Sequence, residues 1–406
     1  MHDPHGGRAI ECVNLGVHLD ADMRLDELAS GLGGRADSLR HFHQPPGGAN
    51  SATETIMLSY RLESFGKPLA QVLRDTPQPQ GSELVIKVGS CGVCHSDVHL
   101  HDGYFDLGEG HKLDMTRSLK PPRTLGHEIA GTVVAIGPEA KGVALGDRRV
   151  VYPWIGCGQC LTCAAGNEHL CNAPRALGVH RDGGFSDHVL VPHPKYLLDF
   201  APLPEDQACT YACSGLTAYS ALKKLRKLGN LDTLLIIGAG GVGLSGIRLA
   251  RELHPDATLI VAELDRGKWE VARAAGAGEV IDPTAEGASK ALFKATDGGV
   301  AAAVDFVGAA ATFAFGFGAL RKAGQLVCVG LFGGSTPVVP AMVAMKAVDV
   351  LGSYVGSLQE MGELMAIARR GKLPGLPLIS HPLADATQAL DDLRAGRVRG
   401  RAILHP

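Results

Sequence analysis

The sequence predicts an α/β protein with a doubly wound parallel sheet and a second, β-rich domain. Between residues 214 and 351, continuous apolar strands alternate with helical patterns, which is typical of a parallel sheet covered by helices on both faces. A glycine-rich turn follows the first of these strands. Residues 57–213 instead contain short strands and many turn signals. The 406 residues, 45% of them hydrophobic, can bury a core for each domain.

Four segments follow from these patterns. Residues 1–56 have no sustained apolar period and are predicted to be a disordered leader, with Met57 as an alternative start. Residues 57–213 form the β-rich domain, and its strand candidates are Glu83–Val88, Ile129–Ile136 and Arg149–Tyr152. Residues 214–351 form the parallel sheet, with strand candidates Leu234–Ile237, Thr258–Glu263, Ala301–Val307 and Gln325–Gly330. Residues 352–406 contain an amphipathic helix at Ala384–Ala395 and a closing strand, which we expect to return to the first domain.

Charge and composition exclude several classes of protein. A formal charge of −3 gives no general attraction to nucleic acid or to anionic membranes. The uncharged stretch Ala323–Met345 is interrupted by Pro337 and Pro340, which argues against a membrane span. The N-terminus lacks a signal-peptide pattern, and ten cysteines are a small fraction of this chain. We therefore expect a cytoplasmic protein that binds neither nucleic acid nor membrane.

The glycine-rich turn has the pattern of a dinucleotide site. Its residues are Gly238, Ala239, Gly240, Gly241, Val242 and Gly243. In this pattern the first glycine permits the tight turn, the second lets the backbone approach a pyrophosphate, and the last lets the helix pack on the strand. The N–H groups at the start of the helix then face the phosphates.

Glu263 ends the next strand, where a ribose-binding carboxylate belongs. A carboxylate there accepts hydrogen bonds from a 2′-hydroxyl and repels a 2′-phosphate, which favours NAD over NADP. Asp265 is close enough in sequence to share this role, while Arg266 and Lys268 offset part of the repulsion.

Two sets of residues have the side chains of zinc ligands. Four thiols lie within one short loop: Cys157, Cys160, Cys163 and Cys171. Four thiolates saturate a tetrahedral Zn²⁺, so this set predicts a structural site. The other set is drawn from distant segments, namely Cys94, His127 and Cys213. Three protein ligands leave one coordination position open for substrate, as in catalytic zinc sites.

The motifs Gly-Val-Cys-His-Ser-Asp and Gly-His-Glu, together with the four-thiol loop and the glycine turn, resemble the zinc-dependent medium-chain alcohol dehydrogenase family over residues 57–406. The resemblance implies a GroES-like catalytic domain formed from both ends of the chain and a Rossmann coenzyme domain between them. It also implies two Zn²⁺ ions and NAD as cofactors, a small alcohol or aldehyde as substrate, and a homodimer or homotetramer.

The same resemblance implies roles for residues around the open zinc site. Ser96 and His99 match a proton relay, Asp97 the carboxylate that orients the zinc histidine, and Glu128 an acid behind the metal. The cofactor contacts match His95 at the pyrophosphate, Lys268 near the adenosine ribose and Arg401 at a phosphate.

The substrate is less well defined by the sequence. The runs Asp102–Leu107 and Val151–Gly156 resemble the 6-hydroxyhexanoate dehydrogenase subgroup, which implies a primary alcohol and an ω-hydroxy acid in particular. The polar stretch Tyr104–Arg123 carries cations able to contact a carboxylate, but we interpret it as a solvated loop: the residues are His111, Lys112, Arg117, Lys120 and Arg123. Two alternatives stay open, an NADPH-dependent aldehyde reductase of the cinnamyl alcohol dehydrogenase type and a non-catalytic nucleotide-binding relative.

Overall fold

The computed structural model describes residues 56–371 and 373–406. The predicted leader, apart from Ile56, lies outside these residues. No helix within the described ranges is both long and apolar enough to cross a membrane. The uncharged stretch that includes Pro337 and Pro340 forms the end of a strand, a loop and a short helix.

The first part of the chain is rich in short strands. Its elements are β1 (Ile56–Leu62), β2 (Ala70–Asp75), β3 (Leu84–Gly92), α1 (His95–Asp102), β4 (Tyr104–Gly108), β5 (His111–Asp114), β6 (Arg123–Thr124), β7 (Glu128–Ile136), β8 (Arg148–Val151), α2 (Leu161–Ala164), β9 (His188–Val191), β10 (Leu197–Asp199), α3 (Glu205–Thr210), a π-helical turn (Tyr211–Gly215) and α4 (Leu216–Lys223). Short 3₁₀ helices lie at Glu168–Leu170 and Pro194–Tyr196.

The middle part alternates strands and helices, as its apolar pattern predicts. It contains β11 (Thr233–Ile237), α5 (Gly241–Leu253), β12 (Thr258–Ala262), α6 (Trp269–Ala274), β13 (Glu279–Ile281), α7 (Ala288–Ala295), β14 (Val300–Asp305), α8 (Ala310–Ala319), β15 (Leu320–Cys328), α9 (Pro340–Lys346) and β16 (Asp349–Gly352). The last part contains α10 (Leu358–Ala368), β17 (Leu378–Pro382), α11 (Ala386–Arg394) and β18 (Arg401–His405), with further 3₁₀ helices at Arg266–Lys268 and Leu383–Asp385.

The middle strands form one parallel sheet in the order β13-β12-β11-β14-β15-β16. This is the doubly wound order in which consecutive crossovers run first to one side of the starting strand and then to the other. Strand β14 is buried along its whole length, as expected for a strand covered on both faces. The order reverses between β11 and β14, and the glycine turn follows β11 at this point. The fold prediction for this region is confirmed.

The other large sheet is mostly antiparallel and joins the two ends of the chain. Its strands run in the order β10-β8-β7-β3-β18-β17, and β9 also pairs with β3. The C-terminal strand β18 pairs with β3 at Ile403–Gly92 and Leu404–Cys91. The C-terminal segment therefore returns to the first part of the chain, as expected. The sequence pattern could not identify the partner strand, because strand pairing over some 300 residues has no local signal.

One part of the polar stretch differs from the solvated loop that we expected. Strands β4 and β5 form a two-stranded hairpin, and the Gly334 N–H in the loop after β15 donates to the Leu107 carbonyl at 2.8 Å. The Ser335 hydroxyl also donates to the Glu109 carboxylate at 2.5 Å. The hairpin therefore connects the β-rich part to the parallel-sheet part. His111, Lys112, Arg117 and Lys120 are nevertheless exposed, as a solvated stretch requires.

Candidate functional site

Three distant segments bring the predicted open zinc ligands together. Cys94 immediately precedes α1, His127 immediately precedes β7, and Cys213 lies in the π-helical turn. One ligand atom from each falls within 4.8 Å of the others, and the two Sγ atoms are 3.9 Å apart. All three side chains are buried. The π-helical turn widens the helix by one residue per turn, a distortion that is common at functional sites.

The donor set fits a cation. The Nε2 atom of His127 has no hydrogen-bond partner among the described residues, although the ring is fully buried. Buried polar atoms without partners are costly, so this ring is suited to bind an ion. The two thiols interact: the hydrogen bond with Cys213 lowers the pKa of Cys94 well below its usual range, and the same contact raises the pKa of Cys213. A divalent cation would stabilise both as thiolates.

The Asp97 carboxylate contacts the segments that carry two of the three ligands, Cys94 and His127. One carboxylate oxygen lies 3.2 Å from His127 Nδ1, and the same oxygen accepts a hydrogen bond from the Gly126 N–H at 3.2 Å. The other oxygen accepts from the Cys94 N–H at 2.9 Å. A carboxylate on Nδ1 leaves Nε2 as the nitrogen that faces the thiols and fixes the ring orientation.

Glu128 and Arg401 form a fully enclosed ion pair beside the thiols. The Arg401 Nε donates to one Glu128 oxygen at 2.8 Å, and Nη2 contacts the other. The Ser214 N–H also donates to Glu128, at 3.0 Å. Glu128 thus connects β7, the residue after Cys213 and the C-terminal strand. Gly92 is required here, because a Cβ at that position would collide with the Glu128 carboxylate.

Arg401 also reaches the glycine turn. Its Nη1 lies 3.0 Å from the position that a Cβ on Gly241 would occupy. The predicted phosphate contact is therefore adjacent to the turn, but most of the guanidinium is used by Glu128, and only 4% of the residue is exposed. The ion pair and its burial had no signal in the sequence, since the partners are 273 residues apart.

The four-thiol loop is also assembled. Its four Sγ atoms lie within 4.8 Å of one another, with Cys160–Cys163 at 3.5 Å and Cys160–Cys171 at 3.8 Å. The Cys157 N–H and the Ala173 N–H both donate to the Cys171 sulfur at 3.3 Å. The backbone N–H of Gln159 lowers the pKa of Cys157 to about 6. Burial raises the pKa of Cys163, so the loop by itself favours the thiolate at Cys157 and not at all four positions. The four sulfurs fit a tetrahedral ion with no open position.

The glycine turn has the geometry that its three key glycines imply. Gly238 adopts φ +91°, a backbone angle that residues other than glycine rarely adopt. A Cβ on Gly243 would collide with the Gly238 carbonyl, while a Cβ on Gly240 would meet nothing within 4 Å. Gly240 therefore borders open space at the start of α5, where the helix N–H groups are available to an anion. Gly241 and Val242 form the first turn of that helix.

Glu263 is more deeply involved in the turn than the spacing indicates. One carboxylate oxygen accepts from the Ala239 N–H at 2.6 Å and the other from the Asp265 N–H at 2.8 Å. The residue is only 7% exposed. Asp265 instead caps the 3₁₀ helix by accepting from the Gly267 N–H, and it lies 3.9 Å from Lys268. Glu263 therefore stabilises the glycine turn in addition to any contact with a ribose.

The predicted relay residues lie on α1. His95, Ser96 and His99 follow Cys94 directly, and Ser96 and His99, three residues apart, lie on one side of the helix. His95 is exposed at the start of the helix, and Ser96 and His99 are half-buried. Burial lowers the pKa of His99. Its ring packs on Phe105 of the β4–β5 hairpin, with ring centroids 4.6 Å apart.

Aromatic residues that the sequence analysis did not single out border the ligand set. The Trp154 ring lies 5.1 Å from the His127 ring, and its Nε1 donates to the Ala212 carbonyl at 2.9 Å. The Tyr354 ring lies 6.3 Å from Trp154. Trp154 falls in the run Val151–Gly156 that carried the subgroup resemblance, so that run held a signal. Tyr354, which lies in the C-terminal part, had none.

The fold and the site together define a metal-dependent oxidoreductase with a dinucleotide-binding domain. Two family models match the chain: the alcohol dehydrogenase GroES-like domain at residues 80–204 and the zinc-binding dehydrogenase at residues 241–370.

Similar proteins agree with these matches. The NAD-dependent alcohol dehydrogenases of Sulfurisphaera tokodaii and Saccharolobus solfataricus are 36% and 35% identical over 359 residues, which is 86% of this chain and all of theirs. The crystal structure of the alcohol dehydrogenase of Aeropyrum pernix matches with a TM-score of 0.75 at 30% identity, covering 86% of this chain and 100% of that chain. The chain belongs to the zinc-dependent medium-chain alcohol dehydrogenase family. It is an enzyme, as the sequence predicted.

Proposed function

We propose that the protein oxidises primary alcohols to aldehydes, using NAD as the hydride acceptor. The observation that carries the proposal is the buried set of Cys94, His127 and Cys213. The Glu128–Arg401 pair connects the surroundings of this set to the glycine turn. When bound there, Zn²⁺ supplies a Lewis acid that lowers the pKa of an alcohol, and NAD accepts the hydride.

The chain's own residues supply positioning and proton removal. In this proposal Asp97 holds the imidazole of His127 in place, and the second set, at Cys157, Cys160, Cys163 and Cys171, holds a structural Zn²⁺. The Ser96 hydroxyl passes the proton of the alcohol toward His99. Because burial lowers the pKa of His99, this ring is neutral near pH 7 and able to accept that proton.

The cofactor contacts are assigned in the same way. Gly238, Gly240, Gly241, Val242 and Gly243 hold the pyrophosphate, with His95 nearby and Lys268 toward the adenosine ribose. Glu263 favours NAD, because a 2′-phosphate brought near its carboxylate would be repelled. Both Glu263 oxygens already accept a backbone N–H, so the charge is fixed in position.

The division of the chain belongs to the same proposal. Residues 57–213 and 352–406 form the catalytic domain and residues 214–351 the coenzyme domain, in a cytoplasmic homodimer or homotetramer. The pairing of β18 with β3 supports the assignment of the C-terminal segment to the catalytic domain.

The test is NAD reduction by purified protein with a series of primary alcohols, together with zinc analysis. We expect two Zn²⁺ per chain and a marked preference for NAD over NADP. A single Zn²⁺ with no turnover of any alcohol would instead favour a non-catalytic relative, and a preference for NADPH would favour the aldehyde reductase alternative.

The finer part of the proposal is an ω-hydroxy acid substrate such as 6-hydroxyhexanoate. A comparison of kcat/KM for 6-hydroxyhexanoate and 1-hexanol tests it, because the two differ only in the terminal carboxylate. Equal values would remove the carboxylate from the proposal and leave the oxidation of primary alcohols intact.

A further inference from the structure

A cavity of about 250 Å³ lies next to the Cys94, His127 and Cys213 set. Trp154, whose ring lies 5.1 Å from the His127 ring, lines this cavity together with Tyr354 and with Cys171 of the four-thiol loop. Most of the remaining wall is apolar: Ile155, Leu170, Pro174, Ala176 and Val179. Drug-sized ligands occupy pockets of about 300–1,000 Å³, so this cavity suits a smaller aliphatic chain.

Two histidines interrupt the apolar wall. His169 and His180 both line the cavity, and neither ring makes a hydrogen bond to any described residue. The Nδ1 atom of each ring is buried, which leaves Nε2 as the accessible nitrogen. A buried N–H without an acceptor is costly, so each neutral ring carries its proton on Nε2. Burial lowers the pKa of the His180 ring. The lining of the cavity therefore includes two N–H donors without an acceptor among the described residues.

The charges around the two donors differ: Glu360 and Lys224, of opposite sign, both act on His169, whereas the environment of His180 is positive. The one acid in the wall, Glu168, is already bound by Lys195 Nζ and by the Tyr196 hydroxyl, each at 2.7 Å. On the other side, the positive charge of Arg123 acts on His180. Arg123 shares a single carboxylate, Asp182, with two further arginines: the N–O distances are 3.5 Å for Arg123, 3.7 Å for Arg61 and 2.7 Å for Arg74. Glu63 also lies 3.9 Å from Arg61, so the cluster has three guanidinium groups and two carboxylates and keeps an excess of positive charge.

We propose that His169 and His180 are specificity residues that bind the terminal carboxylate of an ω-hydroxy acid, while the apolar wall packs on its methylene groups. This inference rests on the proposed oxidation of primary alcohols and adds to it the residues that select the substrate. It assigns recognition to the cavity and not to the exposed cations of the β4–β5 hairpin.

The experiment compares kcat/KM for 6-hydroxyhexanoate, 1,6-hexanediol and 1-hexanol in the zinc-loaded protein. The variants are His169→Leu and His180→Leu, which remove a donor, and His180→Gln, which retains one. His111→Leu is the matched control, since His111 is an exposed residue of the hairpin. In each leucine variant at the cavity, the ratio of kcat/KM for 6-hydroxyhexanoate to kcat/KM for 1-hexanol should fall about 10- to 100-fold, the range for a lost hydrogen bond to a charged group. His180→Gln should recover most of the ratio.

The outcomes separate the subsite from the function. An unchanged ratio in both leucine variants, or an equal loss in His111→Leu, overturns the assignment to His169 and His180. If the wild-type protein has the same kcat/KM for 1-hexanol or for 1,6-hexanediol as for the acid, the carboxylate subsite is overturned. The proposed oxidation of primary alcohols is not affected by that result. Failure to oxidise any of the three overturns the proposed function, and the subsite with it. Zinc content measured on every variant identifies a misfolded one.

Discussion

Removing the charge of Glu128 should strongly destabilise the protein. Glu128 is fully buried, and Arg401 is only 4% exposed, so Glu128→Gln leaves a guanidinium without its counter-ion in the interior. The loss of one partner of a buried ion pair costs about 3–5 kcal/mol. The Ser214 N–H, which donates to Glu128 at 3.0 Å, keeps an acceptor in glutamine, so the loss comes mainly from the charge.

A second variant separates the attraction between Glu128 and Arg401 from the cost of burying their charges. Burial raises the pKa of Glu128 even though Arg401 is in contact with it, which indicates that desolvation offsets much of the attraction. Replacing both partners, as in Glu128→Gln with Arg401→Met, should therefore restore most of the free energy of unfolding that Glu128→Gln loses.

Denaturation in guanidinium chloride with linear extrapolation measures these free energies. A loss below about 1 kcal/mol in Glu128→Gln, the size of an ordinary surface ion pair, would refute the reasoning. A double variant that is less stable than Glu128→Gln would show that the attraction exceeds the cost of burial.

Other perturbations test individual parts of the site. Cys163→Ser should lower thermal stability, because it opens the structural set, whereas Cys94→Ser should abolish turnover in a protein with an unchanged circular dichroism spectrum; two unfolded variants would contradict this division. His99→Gln should lower kcat about 10- to 100-fold near neutral pH. This loss of kcat should become smaller as the pH rises, because solvent then removes the proton. A pH profile of kcat equal to that of the wild type would exclude the relay. Glu263→Gln should raise the KM for NAD about 10-fold or more and narrow the discrimination against NADP; unchanged KM values for both cofactors would show that Glu263 does not act on the ribose.

Local patterns predicted most of the parallel sheet. The strand candidates at Leu234–Ile237 and Thr258–Glu263 match β11 and β12 within a residue or two, because strands buried on both faces are continuously apolar. Strand β15 begins earlier than the predicted Gln325, at Leu320, since Arg321 and Lys322 interrupt the apolar run. The glycine turn was predictable because backbone sterics at Gly238 and Gly243 are local.

Sequence spacing was sufficient to nominate the four-thiol loop, the glycine turn and Glu263, because each depends on a few residues whose chemistry is set by their type. The set of Cys94, His127 and Cys213 was nominated through motifs that resemble those of a known family. The tertiary structure alone decided that β18 pairs with β3, that Arg401 faces Glu128, and that His169 and His180 share a cavity with Trp154 and Tyr354. These contacts join residues far apart in the chain, and their energies depend on burial and distance, which no short window of sequence contains.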